Sequence, residues 1–355
     1  PQMMLSILGF GMVITFMYLI MSKRLSPLVA LITIPIVFAL LGGFGAGLDA
    51  MMLDGIKKIA PTGVMLMFAI LYFGVMIDAG LFDPLVRTIL RVVKGDPLKI
   101  VMGTAVLAML ISLDGDGSTT YMITVSAMLP LYRRLGMDAL NMTCVTILAG
   151  GVMNLTPWGG PTARAATALH VDPAEVFVPL VPAMILACLG ILALAWYLGM
   201  KERRRLGVVA LPQGGSWMDA SVSDDGDSLP TVDDAEDTKR PKLLWVNFGL
   251  TAALMAALVM GVLPMPVLFM VGFAIALVIN YPNLAEQRRR VVNHAGNVLS
   301  VVSLIFAAGI FTGILNNTGM VEAMSHSFLA IIPDSWGPYL AVITALASMP
   351  FTFFM

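Results

Sequence analysis

Asp114-Gly-Asp-Gly-Ser-Thr-Thr120 puts two acids, two glycines and three hydroxyls into a chain otherwise dominated by apolar runs. Leu98 to Leu113 before it is largely apolar apart from Lys99, and Tyr121 to Leu131 after it is largely apolar again. As helices these arms measure roughly 24 Å and 17 Å at ~1.5 Å rise per residue. The hydrocarbon slab of a bilayer is about 30 Å thick, so neither arm spans it comfortably. The expected structure over 98–131 is a hairpin that enters, turns at the polar stretch and leaves by the same face. Its non-helical backbone must then be covered by protein or line a water-filled cavity. On that reading the tip is a binding site. An ordinary surface turn is the plainer alternative, because Asp and Gly are turn formers.

The rest of the composition places the chain in a membrane. Hydrophobic residues make up 58% and charged ones 12%, which excludes a soluble globular class and fits a multi-spanning integral membrane protein. Cys144 and Cys188 both fall in apolar spans and read as small hydrophobes rather than a disulfide or a metal pair. The 28 methionines read as adaptable apolar filler. The first apolar stretch has no basic residue before it and Lys23 and Arg24 after it, so it reads as a first membrane helix with its N-terminus outside, not a cleaved signal.

Candidate spans are Met3 to Met21, Pro27 to Phe44, Pro61 to Ala79, the hairpin, Ala139 to His170 with a break, Glu175 to Met200, Leu243 to Val262, Pro266 to Asn280, Asn297 to Asn317 and Tyr339 to Met355. Threaded through a bilayer, they put the basic clusters at Lys23, Arg87 to Lys99, Arg133, Lys201 to Arg205, Lys239 to Lys242 and Arg288 to Arg290 on one side. Lys57 and Lys58 lie opposite. By the positive-inside rule the crowded side is the cytoplasm. If 98–131 were a full crossing, Arg133, Arg134 and the run from Lys201 would switch sides, so the charge pattern favours the hairpin over the surface turn. Between Gly207 and Asp237 the apolar pattern gives way to Ser, Gly, Pro and acids, a composition that cannot bury a core. The stretch 201–242 is expected to be a disordered cytoplasmic linker.

The two halves it joins are related. Pro27 and Pro266 open corresponding spans, and one constant offset also takes Gly74 to Gly313, Gly80 to Gly319 and Asp83 to Glu322. Five crossings plus one hairpin form the unit, and an odd number of crossings turns the second copy upside down. Inverted repeats with interrupted helices are how many secondary transporters build a midplane site. The expected layout is a first repeat over 1–200 and a second, inverted one over 243–355, truncated in its own hairpin. The fold class expected is therefore all-α integral membrane: an inverted-repeat secondary transporter with re-entrant hairpins and broken transmembrane helices.

The second interruption is Asn154-Leu-Thr-Pro-Trp-Gly-Gly-Pro-Thr-Ala-Arg164. Two prolines and the pair Gly159 and Gly160 are poorly compatible with a continuous helix. The span should split, leaving carbonyls free for a cation and a helix N-terminus near Thr162 facing an anion. Arg164 lies far from either surface, where a charge is costly and by default a functional candidate. It either contacts substrate or pairs with Asp114 or Asp116. Those two acids would repel an anion in a low-dielectric site, so they are read as metal or proton ligands, with protons or a hard divalent ion between them and the cargo. Ser118, Thr119, Thr120, Asn154, Thr156 and Thr162 are the remaining oxygen donors, although Thr119 or Thr120 could equally cap the second arm. Asp78 reads as an interfacial residue with a proton site as the alternative, and His170, His294 and His326 receive no role. Asn141-Met-Thr143 and Asn154-Leu-Thr156 match the glycosylation pattern but lie in membrane segments.

Four stretches carry a resemblance: Phe68 to Pro84, Lys94-Gly-Asp-Pro-Leu-Lys99, Leu113 to Thr124, and Pro157-Trp-Gly-Gly-Pro161 continuing to Ala166. They resemble the bacterial metal-citrate:proton symporters of the ion transporter superfamily. The resemblance implies symport of citrate chelated to a divalent cation, Mg²⁺-like or Ca²⁺-like by subgroup, with protons as the coupling ion. It also implies a plasma-membrane homodimer that moves a hairpin-bearing domain against a scaffold in an elevator motion, with no nucleic-acid partner and no enzymatic activity. Asp114 to Thr120 and Asn154 to Arg164 carry over as site residues. A different carboxylate or oxyanion on the same fold is the alternative cargo. An intramembrane aspartyl protease is the alternative from another class, since paired acids near glycine can activate water.

Overall fold

The computed structural model describes residues 2–93, 95–114, 117–169, 171, 173–207 and 238–329, with the isolated positions 339, 342, 344 and 346. Among the described residues all regular structure is helical. The elements are α1 (Gln2–Met21), α2 (Pro27–Leu41), α3 (Leu48–Asp78), α4 (Asp83–Val93), α5 (Pro97–Ile111), a 3₁₀ turn (Ser112–Asp114), α6 (Gly117–Leu135), α7 (Ala139–Met153), α8 (Gly160–Leu169), α9 (Pro173–Leu206), a second 3₁₀ turn (Pro241–Leu243), α10 (Leu244–Met260), α11 (Met265–Asn280), α12 (Leu284–Asn317) and α13 (Met320–Leu329). Five described helices are long and apolar enough to cross a bilayer: α1, α3, α9, Pro241–Leu258 and α12. Large apolar side chains stand exposed along α1 (Met3, Ile7, Ile14), α9 (Ile185, Leu186, Leu189) and α10 (Trp245, Phe248), as a lipid-facing surface requires.

Helix boundaries follow local chemistry. Ser26 caps α2 ahead of Pro27, Asp96 caps α5 ahead of Pro97, and Asp138 caps α7, the two acids accepting from the N–H of Leu98 at 3.1 Å and Leu140 at 2.9 Å. Gly80 and Gly319 end the long helices α3 and α12 with φ of 85° and 74°, a backbone region that favours glycine. The helix succession before residue 94 recurs after residue 243, as 20, 15, 31 and 11 residues and then 17, 16, 34 and 10.

The chain divides into two units. One comprises Pro1–Val64 and Leu299–Met355, the other Met65–Val298. In the first, α1 and α2 pack with α13 around Met12, Ala30, Ile34 and Met320. The Ser6 hydroxyl lies 2.7 Å from both the Ala323 carbonyl and the Ser327 hydroxyl. There the N-terminal half of α3 runs opposite to the C-terminal half of α12. Gly55 faces Gly309 and Gly313 with so little space that a Cβ at Gly313 would sit 2.8 Å from the Gly55 Cα. Glycines at such crossings let helices pack by van der Waals contact where lipid supplies no hydrophobic drive.

In the second unit α5 is the central helix. Ile100, Val101, Leu107 and Ile111 are buried with Met128 and Tyr132 of α6, Val145 of α7 and Ile191 and Ala195 of α9. Gly199 of α9 lies against the backbone of Leu98, where a Cβ would be 2.9 Å from the Leu98 Cα. Here the C-terminal half of α3 again runs opposite to α12, with Gly74 against His294 and Asp78 against Arg290.

Several boundaries differ from the hydropathy reading. α3 begins at Leu48 rather than near Pro61, because Pro61 sits inside a helix whose preceding turn is continuous. α12 begins at Leu284, not Asn297, because ion pairing accommodates its basic first turns. α4 is an amphipathic helix that a search for apolar spans passes over. α6 has 19 residues, about 28 Å at ~1.5 Å each, so the second arm is longer than expected. Of the expected linker, Lys201 to Leu206 continue α9, residues 238–243 are held by hydrogen bonds, and residues 208–237 lie outside those described.

Candidate functional site at two helix interruptions

The two interruptions meet. α5 and α6 turn back on each other through Ser112–Asp114, and Ser112 and Thr120 join their buried hydroxyls across the turn at 2.9 Å. The other interruption spans residues 154–159, between α7 and α8. Its Trp158 indole N–H donates to the Leu113 carbonyl at 2.8 Å, tying the broken helix to the hairpin tip. The same indole stacks edge-on to Phe269 at 5.9 Å, and Phe269 packs in turn against Phe73 and Tyr72 of α3.

The break is built from its own sequence. Pro157 and Pro161 lack the N–H groups that a through-going helix needs. The Gly159 N–H closes a turn onto the Thr156 carbonyl at 2.8 Å, and a Cβ at Gly159 would overlap the Asn154 carbonyl. Thr162 reaches back from the first turn of α8 and donates to the Leu155 carbonyl at 2.9 Å. Its hydroxyl therefore fixes the break, leaving its lone pairs as acceptors.

Three buried side-chain oxygens among the described residues have no hydrogen-bond partner: Asn154 Oδ1, Thr156 Oγ1 and Thr124 Oγ1. Leaving a buried polar atom unmatched costs about 1–3 kcal/mol, so three of them, two in the interruption itself, mark places completed by something that brings donors or positive charge. Asn154 and Thr156 were expected here. Thr124 was not, although its spacing of one helical turn from Thr120 puts both on one face of α6 and could have flagged it.

The other expected positions divide as follows. Thr120 lies in the closed turn, and Gly159 and Gly160 form the corner that opens α8. Asp114 has its backbone in the 3₁₀ turn, Ser118 and Thr119 theirs in the first turn of α6, and Arg164 its own in α8; their side chains lie outside the described residues, as does Asp116 altogether. Asp78 and His294, read as interfacial and without a role, prove to be partners, their side chains 3.0 Å apart across 216 positions of sequence.

Comparison with known proteins gives this geometry a family. The chain matches the citrate transporter family over residues 16–355. It belongs to that family. It is 60% identical over 352 residues to the citrate transporter of Bacillus subtilis (strain 168), covering 99% of this chain and 79% of that one. It is 53% identical over 353 residues to the Mg(2+)/citrate complex secondary transporter of the same organism, with the same coverage. The protein is thus a multi-pass membrane transporter, and the protease alternative falls with that assignment.

Proposed function

We propose that this transporter is a symporter that imports citrate chelated to a divalent cation, of the Mg²⁺ or Ca²⁺ kind, together with protons. The observation that carries the reading is the Trp158–Leu113 hydrogen bond, which joins the two interruptions beside unpartnered oxygens. The Asn154 oxygen accepts and the two threonine hydroxyls both accept and donate, so a cation bound to citrate, citrate's own hydroxyl and its carboxylates can all be matched to them. The chelate also answers the charge problem: Asp114 and Asp116 would repel bare citrate, whereas metal or protons between them remove the repulsion. The name of the Bacillus Mg(2+)/citrate transporter supports the metal as part of the cargo. Asp114, Asp116, Ser118, Thr119, Thr120, Asn154, Thr156, Gly159, Gly160, Thr162 and Arg164 form the site.

The architecture proposed around it is an inverted repeat. Contacts of α3 with α12 support this, because they are reciprocal under the offset that aligns the halves. Gly74 meets His294 in one unit; in the other, Gly55 and Gly313, their equivalents with roles exchanged, meet as well. A pair of equivalent helices running oppositely and exchanging contacts in this way is the signature of an isologous two-fold interface. The hairpin-bearing part moves as an elevator against a scaffold in a homodimer, in the plasma membrane, with the N-terminus outside and the central linker in the cytoplasm. The test is citrate uptake and counterflow by the full-length protein in proteoliposomes, with Mg²⁺, with Ca²⁺ and with a chelator. Uptake that needs the divalent ion is expected, and equal transport of metal-free citrate rules the chelate out.

A further inference from the structure

Away from the cargo site, the second unit holds a compact set of charges at the C-terminal end of α3. Asp78, the last residue of α3, accepts at one carboxylate oxygen from both Arg290 Nη1 at 3.1 Å and His294 Nε2 at 3.0 Å. Only 19% of the Asp78 side chain, 7% of Arg290 and 17% of His294 is accessible. Around them Tyr281 presents its ring to the guanidinium groups of Arg290 at 5.7 Å and Arg240 at 4.9 Å. Burial pushes the Tyr281 phenol up to about 12, so it stays protonated and donates to the Thr238 carbonyl at 2.9 Å. Arg240 pairs with Glu286 at 3.1 Å, and Lys239 with Asp83 at 2.9 Å. Three acids are thus matched to three strong bases, and His294 is added to a carboxylate that already holds a guanidinium.

The imidazole is held in place by a missing side chain. Gly74 lies one helical turn before Asp78, and a Cβ there would sit 2.7 Å from Cγ and Nδ1 of the His294 ring. The ring lies flush on the α3 backbone and reaches along it to Asp78. Since the carboxylate accepts, the neutral ring carries its proton on Nε2, and Nδ1 is the ring atom that takes a second proton. A proton taken there converts a neutral Asp78–Arg290 pair with a neutral imidazole into a cluster of net charge +1, stabilised by the carboxylate beside it.

We propose that His294, clamped between Gly74 and Asp78 and flanked by Arg290, is a proton-binding site of this transporter and loads a coupling proton away from the cargo site. Its role in coupling rests on the symport reading above, while its protonation rests on this geometry alone. The cluster shares α3 with Tyr72 and Phe73, and these rings pack on Phe269, which meets Trp158 at the broken helix. A charge gained at His294 also falls beside the docked end of the linker, where the Arg240 N–H donates to the Ala79 carbonyl at 3.0 Å.

The experiment uses full-length protein in proteoliposomes and compares uptake of Mg²⁺-citrate driven by a pH gradient with counterflow at equal pH, which needs no net proton movement. In His294→Gln, gradient-driven uptake is expected to fall by about tenfold or more, in the range of ordinary site-to-site coupling, with counterflow retained; Asp78→Asn should follow the same pattern. Full gradient-driven uptake in His294→Gln overturns the proposal, and so does parallel loss of counterflow in both variants, which makes the cluster structural. If the unmodified protein moves no citrate in either assay, the symport reading fails instead. The site is then decided by a pH titration of ¹⁵N-histidine-labelled protein, the His294 resonances being assigned by their absence in His294→Gln. They should change with pH in the unmodified protein, and the response should differ in Asp78→Asn, which removes the carboxylate charge beside the ring. A flat His294 response overturns the proposal.

Discussion

Replacing Trp158 with Phe tests whether the hairpin tip and the broken helix work as one site. The indole is buried at 6% exposure, and its single polar atom spans the two elements at 2.8 Å. Phenylalanine keeps an aromatic ring facing Phe269 but removes the donor, leaving the Leu113 carbonyl unmatched in a buried place. Such a loss costs about 1–3 kcal/mol, equivalent to roughly 5- to 150-fold in the docking equilibrium constant, which sets the upper limit on the fall in docked population. Apparent affinity falls in proportion to the fraction of protein in the binding-competent arrangement. The half-saturating concentration of Mg²⁺-citrate in counterflow should therefore rise, towards that range, with the maximal rate largely recovered at saturation because cargo draws the tip back. Trp196→Phe, on a residue 54% exposed on α9, controls for the loss of an indole as such. A half-saturating concentration within about twofold of the unmodified protein, the usual margin of independent effects, refutes the docked-tip reasoning.

Thr156→Val removes an unpartnered buried oxygen at nearly constant shape. Its cargo-free melting temperature should hold or rise, reflecting up to about 1 kcal/mol, while citrate affinity falls; a variant that loses stability and keeps affinity contradicts the site. Gly159→Ala pushes a methyl into the Asn154 carbonyl, so the turn must open, and transport should drop by about tenfold or more, as 1–3 kcal/mol of local strain implies. The raised pKa of Tyr281, due first to burial, favours the folded state below the ordinary phenol pKa of 10.0, and that contribution disappears as pH rises through about 12. Melting curves of Tyr281→Phe should accordingly lose part of the destabilisation seen between those values. Gly313→Ala should lower expression and melting temperature more than Gly74→Ala, since the first meets the Met51 and Gly55 backbone and the second only the His294 side chain.

The interruption between α5 and α6 and the one between α7 and α8 were legible because both violate helix chemistry inside apolar runs: Asp114-Gly-Asp-Gly117 in one, Pro157 to Pro161 in the other. Glycines at a constant offset announced the recurrence of long helices, and Gly80 and Gly319 do end α3 and α12 with positive φ. What stayed hidden depends on three dimensions. α4 is amphipathic and leaves no trace in a scan for spans. Thr124 looked like one more hydroxyl in an apolar arm until its lack of a partner could be seen. Trp158 stands in a recognisable motif, but only the fold brings its N–H to the Leu113 carbonyl. Asp78 and His294 lie 216 positions apart, and nothing local in either stretch predicts their meeting.

The two polar places of the second unit differ in a way that suits the two ligands proposed for them. Buried polar groups are normally satisfied, and the cluster at Asp78 obeys that rule, with acids and bases paired one to one. The interruptions break it, leaving oxygens of Asn154, Thr156 and Thr124 unmatched. A place complete in itself can change only by gaining or losing a charge, which suits a proton on an imidazole. A place left incomplete is finished by a molecule with charge and volume of its own, which suits a metal-citrate complex. Both rest on α3 and the aromatic side chains that link it to Trp158, so the proposed symport would hold cargo and proton on one packed scaffold without competition for the same oxygens.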